Sequence, residues 1–222
     1  MSASDSDARP PATTGVWTGA GVSGPVRLAG GAPVEVAADH HLGMDLGAAA
    51  AELARLVEQL SGYTDPELGA LYIQSLQEQG ILFLQTGDYS RAEKKLLQAY
   101  QLVTAETNRD HLLTELSNNL AQVYDKLNIY DKALKYYAES LGRCRLSYEE
   151  DSLPCVILQN NIAGVHLKQN NIAQAITGYK KVIDAFGKLL PPSDPLYITS
   201  LNNLATAYRK NNQFKQALDY LE

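Results

Sequence analysis

From Leu76 onward, apolar and polar positions follow a pattern that restarts at Ser117, Gln159 and Leu201, at spacings of 41, 42 and 42 residues. In each string the apolar residues recur at three- and four-residue intervals over two stretches, the signature of two amphipathic helices joined by a short turn. A small residue recurs in the first stretch (Gly80, Ala121, Ala163, Ala205) and another in the second (Ala92, Ala133, Ala175, Ala217). Small side chains at one level of two antiparallel helices let the backbones approach closely. Larger plugs surround them: Phe83, Tyr124, His166 and Tyr208, then Tyr89, Tyr130, Ile172 and Phe214. Gly87, Asn128, Asn170 and Asn212 occupy equivalent turn positions, and Gly and Asn tolerate the left-handed conformation that closes a helix C-terminus. A fixed period of this length predicts an all-α solenoid, because one helix pair cannot bury its apolar face without a neighbour.

The repeats are expected at about 73–106, 114–147, 156–189 and 198–222, the last incomplete, within an array spanning 64–222. Leu46, Ala49, Ala50, Leu53, Leu56, Val57 and Leu60 form one apolar face ahead of the array. They predict a helix within 44–62, with Asp45 as its cap and Gly62 just past its end, covering the first repeat as a terminal cap. Pro66 suits the first position of the next helix. Residues 1–43 hold seven of the sixteen glycines and four of the nine prolines, without apolar periodicity, and are expected to be disordered.

The small–aromatic–turn–Ala pattern resembles the tetratricopeptide repeat, whose usual unit is about 34 residues. The longer spacing, and the stretch SDPLYITSLNNLATAYRKNNQFKQAL, are similar to the 42-residue variety of kinesin light chains. The resemblance covers roughly residues 66 to 222 and implies a right-handed superhelix of antiparallel helix pairs whose first helices line a concave groove. It implies a non-catalytic scaffold or adaptor that binds an extended peptide there. An assembly or maturation factor docking on a larger complex, or a kinesin-linked cargo adaptor, is the alternative. No long heptad-patterned segment precedes the repeats, unlike in a kinesin light chain.

Charge narrows the partner. Residues 64–222 hold 18 acidic and 16 basic side chains, so the array lacks the basic stripe that nucleic acid requires. No apolar run reaches the roughly 18 residues of a membrane span. Cys144 and Cys155 are the only cysteines and are expected to be unpaired thiols in a reducing compartment. Asp5 and Asp7 precede the first arginine, Arg9, which points to the cytoplasm, with mitochondrial import the alternative. The abrupt end at Glu222 suggests further chain beyond it.

Catalytic motifs are absent from the string. Gly19 to Gly24 satisfies G-x-G-x-x-G and resembles the nucleotide loop of sirtuin deacylases, yet no strand precedes it and Pro25 follows. His40-His41 lacks cysteine partners, and His166 reads as a packing residue in an aromatic slot. No cofactor or metal site is expected. The informative polar signal is Asn118-Asn119, Asn160-Asn161 and Asn202-Asn203, recurring where asparagine is a poor helix residue. A carboxamide can grip the amide and carbonyl of an extended peptide together. Asn119, Asn161 and Asn203 are the candidate contacts; the alternative is that they bridge helices or face water. Lys126, Lys168 and Lys210 lie seven residues beyond each, nearly on the same face, and would favour an acidic ligand. Their bland reading is that they complement helix C-termini.

Overall fold

The computed structural model describes residues 46–61, 66–104 and 110–220. The tail with its Gly19–Gly24 motif and His40-His41, together with Asp45, Gly62 and Glu222, lies outside the described residues. Nine helices and no strand are found among the described residues: α1 (Leu46–Leu60), α2 (Pro66–Gln85), α3 (Tyr89–Thr104), α4 (Asp110–Lys126), α5 (Tyr130–Ser147), α6 (Leu153–Lys168), α7 (Ile172–Leu189), α8 (Pro195–Lys210) and α9 (Phe214–Asp219). Each helix packs on the next, and the repeats are the pairs α2–α3, α4–α5, α6–α7 and α8–α9. First helices of successive repeats also touch, α2 with α4 and α6 with α8, and no two second helices pack to that extent. The array is therefore a solenoid with first helices on its tighter side. Helix α1 packs on α2 and buries Leu56.

The four turns have one construction. Gly87, Asn128, Asn170 and Asn212 have φ of 80°, 59°, 63° and 59°. In each, the residue after the turn donates its N–H to the carbonyl of the aromatic plug: Asp88 to Phe83, Ile129 to Tyr124, Asn171 to His166 and Gln213 to Tyr208, at 2.8–2.9 Å. The turn residue itself donates three back, to Leu84, Asp125, Leu167 and Arg209. This double closure satisfies carbonyls that a helix end leaves orphaned. At the other end, Asp194 caps α8 by accepting from the Leu196 N–H at 2.8 Å, with Pro195 in the first helical position.

The core follows the small-residue columns. Ala92, Ala121, Ala133, Ala163, Ala175, Ala205 and Ala217 are all buried. A Cβ at Gly80 would lie 2.5 Å from Leu96 Cγ, so only glycine fits where Leu96 packs. Within repeat three, a Cβ at Gly178 would lie 2.9 Å from Ala163 Cβ, which measures how closely α6 and α7 cross.

The cysteines depart from expectation. Cys144 at the end of α5 and Cys155 at the start of α6 form a disulfide, their Cα atoms 5.8 Å apart and both residues buried. The connection between the two helices reverses the chain within a few residues and brings the two side chains face to face. They are a covalent staple between repeats two and three, not unpaired thiols.

Candidate functional site

Helices α2, α4, α6 and α8 carry the polar residues picked out by their repetition. Asn119, Asn161 and Asn203 are each half-buried, on α4, α6 and α8. Their sequence neighbours behave differently. Asn160 turns toward the next repeat and its Oδ1 accepts from Ser200 Oγ at 3.0 Å. Asn118 Oδ1 is buried without a partner, because the position that holds Ser200 in the next repeat is here Leu158. Asn202 is exposed. Helix-bridging thus accounts for Asn160, while the second asparagine of each pair remains partly open to solvent.

The lysine column is not uniform. Lys168 Nζ lies 2.6 Å from Asp125 Oδ2, an ion pair from α6 to α4. Asp125 is the more enclosed partner, its other oxygen Oδ1 buried without a hydrogen bond. Its negative charge, after burial itself, helps push the Tyr179 hydroxyl up to about 12. Lys126 and Lys210 are exposed. A third link runs from α2 to α4, where Gln77 Nε2 donates to Glu115 Oε2 at 3.0 Å. Glu78 beside it is raised above the usual carboxylate range, first by burial and then by the nearby charge of Glu115.

Asp125 and Glu115 were not singled out by sequence reasoning. Their one signal was position: Asp125 directly precedes Lys126, so an acid sits beside the lysine column at the second repeat. Its partner Lys168 lies 43 residues away, and only the stacking of repeats pairs them. Among the described residues, no group of three or more His, Cys, Asp or Glu is placed to hold a metal ion. No helix among them is long and apolar enough to cross a membrane.

Glu78 gives a pH test of this face. An acid whose folded-state pKa is raised holds more protons folded than unfolded, so stability falls as pH rises from the ordinary value of 4.5 through the raised one. Glu78→Gln should therefore raise the melting temperature at about pH 7, with the gain vanishing near pH 4, where both forms are neutral. A gain that persists unchanged at the lower pH would assign it to packing rather than charge.

The tetratricopeptide repeat family model matches residues 70–146 and 154–222. No curated protein matches the chain. Among solved structures, BtubC (BKLC) from P. vanneervenii is similar at a TM-score of 0.63 and 21% identity, over 80% of this chain and 72% of that one. A putative kinesin light chain with nearly identical TPR-like repeats, from Podospora anserina, aligns at 0.65 and 19%, over 79% and 83% of the two chains. The apo form of RapI aligns at 0.69 and 14%, over 79% and 61%. At these identities the likeness is one of fold.

Proposed function

The chain belongs to the tetratricopeptide-repeat family, and from that premise we propose that it is a non-catalytic scaffold holding an extended peptide segment of a protein partner along its first helices. The observation that carries this reading is the half-buried Asn119, Asn161 and Asn203, repeated on three successive first helices. Packed helices stand roughly 8–10 Å apart and an extended chain advances about 3.3 Å per residue, so this ladder would meet every third residue or so. Each carboxamide offers both a donor and an acceptor to the peptide backbone.

The charge pattern refines the ligand. Exposed Lys126 and Lys210 support acidic side chains at the two ends of the ladder, whereas Asp125 already neutralises Lys168 between them. Glu78 and Glu115 disfavour an acidic residue toward the first repeat. The ligand we propose is polar and locally acidic rather than acidic throughout.

Peptide-array screening of the intact chain should yield a consensus, and Asn161→Ala with Asn203→Ala should weaken its capture by about tenfold or more, two lost hydrogen-bond pairs being worth roughly 1–3 kcal/mol. Both positions are partly exposed, so the melting temperature should hold. Unchanged capture would sink the groove reading. The assembly-factor alternative gains one point of support. Disulfides persist in oxidising compartments, so the Cys144–Cys155 bond removes the thiol argument for a reducing cytoplasm. Imaging of a tagged chain would distinguish the compartments.

A further inference from the structure

The third repeat breaks an aromatic column that the second and fourth keep. In repeat two, Tyr124 of α4 stacks on Tyr136 of α5, with ring centroids 5.5 Å apart and planes 11° apart. Tyr100 of α3 meets Tyr136 edge-on at 5.9 Å, and Lys132 Nζ lies 4.6 Å from the centre of the Tyr124 ring. Repeat four repeats the stack with Tyr208 on Tyr220, 5.8 Å apart and 17° from parallel. The 42-residue step places His166 in the column of Tyr124 and Tyr208, and Gly178 in the column of Tyr136 and Tyr220. The same step puts Gln174 in place of Lys132, and the 41-residue step puts Leu141 in place of Tyr100. Every member of the cluster is replaced at once, each by a smaller side chain.

A cavity of about 180 Å³ opens at these four replacements, in the furrow between α5 and α7 above α6. Ile162 and Ala163 complete its floor. His166 lines it with Nδ1 buried and unpartnered, and burial alone lowers that imidazole's pKa, so the ring is neutral near pH 7. The space is a half-open furrow that Arg145, Glu150 and Lys181 also line, and its volume is that of one aromatic ring. Flat rings favour offset stacking at the separation the neighbouring repeats show.

We propose that this cavity is a binding site for a tyrosine side chain of a protein partner, which lies against His166 where Tyr136 and Tyr220 lie in the adjoining repeats. The lining selects the residue. Leu141, Ile162 and Ala163 suit the ring, while Gln159 and Gln174, with Arg145, Glu150 and Lys181 of the same lining, suit a hydroxyl-bearing ring over a purely apolar one. The site is independent of the asparagine ladder. Gln159, Ile162, Ala163 and His166 form one stripe of α6, and at about 100° per residue Asn161 and Lys168 project from its opposite side.

The test uses the isotope-labelled full chain and two short peptides, Gly-Ser-Tyr-Ser-Gly and its alanine counterpart. Millimolar tyrosine peptide should shift the backbone amide signals of Gln174 and Gly178, and the alanine peptide should not. Gln174 is exposed, so Gln174→Trp should fold normally and cover the cavity, abolishing the shifts at Gly178. Asn161→Ala with Asn203→Ala should leave the shifts intact, separating this site from the ladder. Equal shifts with both peptides, or shifts that survive Gln174→Trp, would overturn the proposal. Concentration-dependent shifts at these amides without peptide would assign the cavity to a second copy of the chain and overturn it too.

Discussion

Replacing Ala175 by leucine is expected to destabilise the array by about 1–3 kcal/mol or more, and replacing Ala163 by leucine to cost less. Both alanines are buried, one on each helix of the third repeat. The crossing is tight: Gly178, one turn beyond Ala175, has no room for a Cβ against Ala163. Overfilling such a contact forces side chains off their rotamers or the helices apart. The two sites differ in what lies next to them. Ala163 borders the cavity between α5 and α7, so a leucine there can extend partly into open space, whereas Ala175 is not part of that lining. In a linear array each repeat is stabilised by its neighbours, so the loss should uncouple repeat three and broaden or split the denaturant transition. A transition for Ala175→Leu that stays cooperative and unshifted would mean that the helices do not cross there.

The fold was legible because each part of its signature is local. Period, small-residue columns and turn asparagines all act within one helix pair, and the left-handed φ of Asn128, Asn170 and Asn212 is what a helix-closing turn demands. What escaped is set by stacking between pairs. The Lys168–Asp125 pair and the Ser200–Asn160 bond join residues 43 and 40 apart, and nothing within a repeat announces them. The third-repeat cavity is an intermediate case. His166 stands out in the sequence as an odd member of an aromatic column and there reads as one ring replacing another. Its consequence depends on Gly178, whose tyrosine equivalents sit on a different helix, so the opening appears only when both columns are compared. The cysteines show a composition rule overridden by geometry. Two cysteines in a chain of this size suggested free thiols, but the ends of α5 and α6 bring them within bonding distance.

Removing that bond is the second change with a large expected effect. Cys144 and Cys155 are 11 positions apart, and closing a loop of this size restricts the unfolded chain by roughly 2–3 kcal/mol on the chain-entropy account. For an array of this length, that corresponds to a fall of roughly 5–10 °C in melting temperature. The bond spans the junction of repeats two and three, where repeats otherwise cooperate only through packed side chains, so its loss should also weaken coupling across that junction. Cys144→Ala with Cys155→Ala, compared with the oxidised chain, tests the size of the effect. Unfolding in reductant followed by refolding with the thiols blocked is a poorer comparison, because the blocking groups would have to fit a buried site. Some of the variant's loss will come from packing, since a buried thiol also acts as a small apolar side chain. Cys144→Ser with Cys155→Ser does not remove that ambiguity, but the native chain melted with and without reductant does, because every side chain stays in place. Agreement between the alanine variant and the reduced native chain would assign the stability to the bond. A reduced chain that melts with the oxidised one would show that the junction is held by packing alone.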